Sequence, residues 1–394
     1  MHYARWIVGE AVSCGHDVLF VTSPYCLEHP VFAKLREECG ERVRTSTLPL
    51  QEKKPEPRRT VDLMRQDFHY YRVFADCYRR ISRDRPPDYV FLPYDYCLYA
   101  TAILGSPFGG TSWGGLILRP TFHLREMGVR APRTRLRRAK TGMLLRLLRK
   151  DRTLRAVYAF DESLIGYVLE RAPDLSERLC FLPEPVELDG SHTRKSARQV
   201  LGIPQDAIVA LVYGVLDSTK GIDALLDASA RREFPEAVSL LLAGPQNDEV
   251  RELLDGVQAG KLRESGRLHE HDRFLHGDDE HAVFKAADLV WIGYRGQYVA
   301  SAVSLQAAMA GLPVVACEEG FIGRMTKDYG LGIVVDTSDV RAVARAISKL
   351  VRDRELADKL GKNGKRLSVR HNVENFRRML REEVFSEPPA VSSR

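Results

Sequence analysis

A lysine just ahead of a glycine, where an apolar strand gives way to a helix, can hold an anion. The stretch Tyr213-Gly-Val-Leu-Asp-Ser-Thr-Lys-Gly-Ile-Asp-Ala-Leu-Leu-Asp-Ala228 has this form. A strand ends in a turn at Gly214, Lys220 follows, and a helix with an apolar stripe opens. Backbone N–H groups at a helix start and an ammonium can together bind a diphosphate, each contributing about 1 kcal/mol when partly buried. The same residues also fit a plain strand-to-helix turn with a solvated lysine. A second junction, Tyr294-Arg-Gly-Gln-Tyr-Val-Ala-Ser-Ala-Val-Ser-Leu-Gln-Ala-Ala-Met-Ala-Gly-Leu-Pro-Val-Val-Ala316, sets small residues at a helix start before a buried strand. Small residues there let a ligand approach the backbone.

Two further groupings carry chemical potential. His269, Glu270, His271, His276, Asp278, Asp279, Glu280 and His281 include enough ligand types for a transition metal. Their spacing matches no metal motif, and an expected strand at 273–275 separates them, so solvated loop residues are the preferred reading. Residues 130–155 hold eleven Lys or Arg against Asp151 alone in a chain of net charge +6, which leaves the remainder net acidic. Leu136, Ala139, Met143, Leu144, Leu147 and Leu148 recur there at helical spacing opposite Arg137, Arg138, Arg146, Arg149 and Lys150. This amphipathic cationic helix is either a surface helix with its apolar stripe packed inward or a dock for an anionic membrane surface. One localised basic patch argues for one anionic partner and against nucleic acid.

The elements that must position these residues alternate between short β-branched or aromatic runs and helical stretches, the form of parallel βαβ architecture. Strands are expected at 17–22, 88–92, 113–118, 156–160 and 179–182, then at 208–213, 239–243, 273–275, 289–292, 313–316 and 332–335. A doubly wound domain ordinarily opens with a strand and a Gly-rich turn. This sequence instead opens on a helical pattern (Tyr3, Trp6, Ile7, Ala11) closed by Gly15, so we expect either a longer natural chain or a first sheet lacking one strand.

At 394 residues with 44% hydrophobic and 28% charged content, the chain is an ordinary globular protein too long for one core. No apolar run reaches 18 residues and no signal-peptide layout opens the sequence, so neither spanning nor secretion is expected. Seven scattered cysteines without a C-x-x-C pair encode neither a disulfide framework nor a zinc ribbon, and fit a reducing, cytoplasmic compartment.

The two junctions together resemble the C-terminal domain of the retaining family 4 (group 1) glycosyltransferases. Leu240-Leu-Leu-Ala-Gly-Pro245, Arg273-Phe-Leu-His-Gly277, Ala286-Ala-Asp-Leu-Val290, Leu305-Gln-Ala-Ala-Met-Ala-Gly-Leu-Pro-Val-Val-Ala316 and Tyr329-Gly-Leu-Gly-Ile-Val-Val335 follow the family's signatures in order over about 170 residues. In the first half, Trp113-Gly-Gly-Leu-Ile-Leu-Arg-Pro-Thr-Phe-His123 resembles the strand after which the family places an active-site histidine. The resemblance implies an α/β GT-B fold, two facing Rossmann-like domains with parallel sheets and the active site between them. It implies a first, acceptor-side domain over 1–190, a linker over 191–206 and a nucleotide-sugar-binding domain over 207–370. A C-terminal helix over 371–386 returns to the first domain, and 387–394 form a disordered tail.

The implied function is transfer of a sugar from a nucleoside-diphosphate sugar to an unknown acceptor, with retention and with neither metal nor cofactor. By the same resemblance, His123 and Lys220 are catalytic: Lys220 stabilises the leaving diphosphate with the helix start near Ser301 and Ala302, and His123 sits beside the sugar. Gly214, Arg295, Tyr298 and Gln306 complete the donor side, and Tyr94 and Asp95 stand on the acceptor side. The sequence departs from the family at its Glu-x7-Glu pair, where Tyr298 and Gln306 stand. Gln306 can still accept one ribose hydrogen bond; Tyr298 cannot replace a carboxylate. Val215 stands where an arginine is usual, with Arg295 as the candidate substitute. A catalytically impaired nucleotide-sugar-binding or partner subunit is the alternative, and a 2-epimerase on the same fold is a remoter one.

Overall fold

The computed structural model describes residues 2–28, 30–48, 60–83, 85–118, 120–131, 137–188, 190–299 and 301–386. The expected tail over 387–394 lies outside them. The chain divides into two compact units: Met1–His123 with Thr134–Pro185 and Val373–Arg394, and Leu124–Arg133 with Val186–Asn372.

The first unit runs α1 (His2–Ser13), β1 (Val18–Thr22), β2 (Val43–Thr47), α2 (Thr60–Ile81), β3 (Tyr89–Leu92), α3 (Leu98–Leu104), β4 (Ser112–Ile117), α4 (Arg137–Lys150), β5 (Leu154–Ala159), α5 (Glu162–Leu169) and β6 (Leu179–Phe181). Its strands form a parallel pair, β1-β2, and a separate four-stranded parallel sheet in the order β3-β4-β5-β6. Helix α1 serves both, with Trp6 and Ile7 in the core over β4 and β5 and Val8 in the smaller core beside Val18, Phe20 and Val43. Strand β2 was not expected. Val-Arg-Thr-Ser-Thr is mostly polar because it pairs on one side only and buries little beyond Val43.

In the second unit we name β7 (Ile208–Tyr213), α6 (Ile222–Ser229), β8 (Val238–Ala243), β9 (Leu268–His271), α7 (Asp278–Ala286), β10 (Leu289–Ile292), α8 (Ala302–Ala310), β11 (Val314–Cys317) and β12 (Gly332–Val335). They build a six-stranded parallel sheet in the order β12-β11-β10-β7-β8-β9. Strand β8 is buried along its whole length, as a two-sided parallel sheet requires. The strand expected at 273–275 is corrected to Leu268–His271, where Leu240 pairs with Leu268 and Ala243 with His271. As the edge strand it tolerates His-Glu-His, whereas the apolar Phe274 is 64% exposed.

Three segments are allotted differently from a simple first-half, second-half division. The polar stretch read as a linker contains a helix, Arg194–Val200, opened by a Thr193 and Ser196 capping box. Its Arg198 is fully buried, donates to the carbonyls of Ala286, Pro204 and Gln205, and pairs with Asp288 at 2.9 Å. Residues 124–131, read as part of the first domain, pack in the second unit, with Leu124, Val129 and Ala131 against Tyr298 and Phe321. The last helix, α9 (Val373–Met379), packs in the first unit, where Phe376 and Leu380 are fully buried beside Trp6 and Phe160. There the carbonyls of Val384 and Ser386 accept from Arg155, and that of Glu383 accepts from Tyr158.

In the basic helix α4, Leu144, Leu147 and Leu148 are buried, so its apolar stripe faces inward. Arg149 pairs with Asp174, and Arg146 donates to Ala102. Arg130, the first residue of the basic segment, belongs to the second unit and pairs with Glu318 and Glu319. These three leucines fit the packed-surface-helix reading; residues 132–136 lie outside the described residues. Among the described residues no helix is long and apolar enough to cross a membrane.

Candidate functional site

The connections from the second unit's first strand, β7, run to β8 on one side and, after β9, to β10 on the other, which makes the β7/β10 pair a topological switch point. Loops leaving the C-terminal ends of such strands open the crevice where ligands bind in α/β sheets. Both sequence-predicted junctions start there, one after Tyr213 and one after Ile292.

The turn after β7 is tightly built. Gly214 has φ of 104°, and its carbonyl lies where a Cβ on Gly244 would stand, so the adjoining loop must also be a glycine. Asp217 accepts from the Thr219 N–H at 3.0 Å and from its hydroxyl at 2.5 Å, fixing the short turn Ser218–Lys220. Gly221 then opens α6 at φ of 63°, a left-handed value that strains any other residue. The second junction pins this turn from the side: Trp291 Nε1 donates to the Lys220 carbonyl at 2.9 Å, and the Arg295 N–H donates to that of Thr219 at 2.7 Å. The Lys220 ammonium lies 3.9 Å from the centre of the Tyr294 ring and beside Gly214. Among the described residues no carboxylate pairs with it, which leaves the cation available for an anionic ligand.

Arg295 is placed otherwise. Its guanidinium pairs with Asp223 and donates to the Thr337 carbonyl at 3.0 Å, so, unlike Lys220, it has a carboxylate partner in this structure. Ser301 stands at the N-cap of α8 without a capping side-chain bond, and Ala302 begins the helix. Tyr298 is partly buried against Val129 and Phe321, and burial raises its phenol pKa.

Gln306 is not isolated. Its amide Nε2 donates to Glu280 Oε1 at 2.5 Å, and the Tyr213 hydroxyl donates to the same oxygen at 2.7 Å. Burial pushes the Glu280 carboxyl pKa up against these two bonds, which favour its charged form. Burial and the Glu280 charge likewise raise the Tyr213 phenol, keeping it a donor. Glu280 appeared in the sequence only within a loose set of metal-ligand types. Among the described residues no group of three or more His, Cys, Asp or Glu gathers as a metal site.

The first unit builds its own cluster around His123, which is fully buried. Its Nε2 lies 3.0 Å from Asp161 Oδ2 and 3.0 Å from Ser163 Oγ. Asp161 caps α5, accepting from the N–H groups of Ser163 and Leu164, and its Oδ1 takes the Ser163 hydroxyl proton at 2.5 Å. Both neighbours of Nε2 are thus acceptors, so Nε2 is the nitrogen of His123 that donates. Nδ1 is buried with no partner among the described residues.

Tyr94 and Asp95 leave the C-terminal end of β3. Tyr94 stacks on Tyr96 at 5.2 Å, and Tyr96, 43% exposed, stacks on Tyr70 of α2 at 4.6 Å. Behind them Asp67 of α2 accepts from the Ala100 N–H at 2.6 Å at the start of α3. Burial lifts the Asp67 carboxyl to about 7, with Asp95 adding to the rise and Lys140 opposing it. Sequence reading missed Asp67, Tyr70, Tyr96 and Asp161 and gave Glu280 no part outside the loose set of metal-ligand types; Asp67 meets Ala100, Tyr96 meets Tyr70, Asp161 meets His123 and Glu280 meets Gln306 only through the fold.

Residues 193–367 match the family model described as glycosyl transferases group 1. A D-inositol 3-phosphate glycosyltransferase from Salinispora arenicola is 30% identical over 235 residues, covering 53% of this chain and 51% of that protein. The chain thus spans about half the length of the curated relatives it matches. Among solved structures, the sucrose-phosphate synthase of Thermosynechococcus elongatus superposes with a TM-score of 0.64 at 18% identity, over 95% of this chain and 90% of the other. HepE of Anabaena, in complex with UDP and glucose, superposes with a TM-score of 0.63 at 17% identity, over 96% and 95%. The fold is GT-B.

Proposed function

We propose that the chain, whose residues 193–367 match the glycosyl transferases group 1, transfers a sugar from a nucleoside-diphosphate sugar to an acceptor hydroxyl, with retention and without a metal ion. The observation that carries this reading is Lys220, an ammonium with no carboxylate partner among the described residues, on a turn clamped at the β7/β10 switch point. When the bond from the sugar C1 to the phosphate oxygen breaks, negative charge grows on the diphosphate. A fixed cation and the uncapped start of α8 are suited to stabilise that charge without reorganising. In a retaining displacement the acceptor oxygen bonds to C1 on the departing side, and its proton passes to the leaving phosphate oxygen. To His123 we assign acceptance of a sugar hydroxyl at Nδ1, and to the loop bearing Tyr94 and Asp95 contact with the acceptor.

The HepE complex with UDP and glucose makes uridine nucleotides the first donors to test. Phosphorus NMR of UDP-, GDP-, ADP- and dTDP-sugars, incubated with the protein and a cell-envelope extract as acceptor pool, follows release of nucleoside diphosphate. Release from at least one donor by wild type and its loss in Lys220→Ala are expected. Donors that bind yet stay intact return the binding-subunit alternative.

A further inference from the structure

Glu280 is set up to receive a ligand, and nothing in the turn around Lys220 accounts for it. It projects from α7 to the end of β7, where two side chains from other elements, Tyr213 and Gln306, donate to it. Both bonds land on Oε1. Among the described residues no donor is assigned to Oε2, and the side chain keeps partial solvent access. The same strand end carries the cation: Tyr213 is followed by Gly214, and the Lys220 ammonium lies beside Gly214. A carboxylate held by two donors, with one oxygen spare, and an ammonium with no carboxylate partner among the described residues thus both border the C-terminal end of β7.

A nucleoside diphosphate offers a matching pair of groups, a diphosphate at one end and a ribose with two adjacent hydroxyls in the middle. A carboxylate oxygen accepts hydroxyl donors more strongly than an amide does. We propose that Glu280 is the ribose-binding residue of this chain, with Gln306 and Tyr213 positioning its carboxylate so that Oε2 accepts from the 2′- and 3′-hydroxyls. This rests on the donor reading made above. It also gives Gln306 a part that its amide oxygen alone does not supply, since the amide nitrogen orients the carboxylate that meets the sugar. The consequence is selectivity for ribonucleotides over their 2′-deoxy counterparts.

The test is calorimetric titration of matched pairs, UDP with 2′-deoxy-UDP, GDP with 2′-deoxy-GDP and ADP with 2′-deoxy-ADP, into wild type, Glu280→Gln and Tyr213→Phe. Wild type should prefer the ribonucleotide of its chosen base by about 10-fold or more. Glu280→Gln should bring that ratio close to one, with deoxynucleotide affinity within about threefold of wild type, and Tyr213→Phe should lower the ratio partway. Because the ratio is taken within each variant, loss of folded protein does not imitate the result. An unchanged ratio in Glu280→Gln, or equal losses for both members of a pair, would overturn the assignment while leaving the donor site intact. Failure of every nucleotide to bind wild type would instead remove the donor reading and this proposal with it.

Discussion

Asp67→Asn isolates one charge in the first unit. Asp67 is 7% exposed, caps α3 through the Ala100 N–H, and has its carboxyl raised from the ordinary 3.8 to about 7, first by burial and then by Asp95. Its folded value exceeds its unfolded one, so the folded state holds a proton that the unfolded chain has already released. Stability must therefore fall as pH rises from about 4 to about 7, and level off above. At 1.36 kcal/mol per pH unit, the difference between 3.8 and 7 amounts to about 4 kcal/mol at full ionisation. Asparagine keeps the oxygen that caps α3 and cannot ionise. Urea unfolding of both proteins from pH 4 to pH 8 gives the difference in stability, in which all other titrating groups cancel. The variant should match wild type within about 1 kcal/mol at pH 4 and exceed it by several kcal/mol at pH 8. A difference that does not change with pH would refute the reasoning, because the buried carboxyl would then titrate as it does in the unfolded chain.

Other consequences are equally specific. Arg198→Ala takes from Asp288 its buried partner, leaving it Arg194 and the Val209 N–H, and removes the donor to the carbonyls of Ala286, Pro204 and Gln205; it should destabilise the second unit by about 3 kcal/mol in chemical denaturation, and a loss below about 1 kcal/mol contradicts the pairing. Nitrogen-15 NMR of His123 should show the proton on Nε2 in wild type, and Asp161→Asn should shift this resonance. A proton on Nδ1 would mean that Asp161 and Ser163 do not set the tautomer.

How far the sequence could be read follows from where each element sits in its sheet. Strands β7 and β10 were read at their observed boundaries because central parallel strands write themselves as apolar runs; β12, an edge strand, was read too because its Gly-Ile-Val-Val is apolar. The two strands misread or missed, Leu268–His271 and Val43–Thr47, pair on one side only and can be polar. A polar edge strand is therefore where composition stops reporting pairing. Lys220 was legible because its turn is local, with strand, glycine and helix start contiguous in sequence. Glu280 was not, since it meets Gln306 across 26 residues and Tyr213 across 67, and no spacing rule connects them. The commitment of Arg295 to Asp223, across 72 residues, was hidden for the same reason. His123 was found through its resemblance to a family pattern. Its partners Asp161 and Ser163 lie on another strand-to-helix turn, Ser163 40 residues further on, and no spacing rule connects them to it.

The central claim is that Lys220 holds the diphosphate of a nucleotide sugar, and calorimetric titration of UDP-, GDP-, ADP- and dTDP-sugars into wild type and Lys220→Ala tests it most directly. The account predicts that at least one donor binds wild type and that the variant, folded as judged by an unchanged melting temperature, binds it about 10- to 100-fold more weakly. A donor bound equally by both proteins, or no donor bound by wild type, would contradict it.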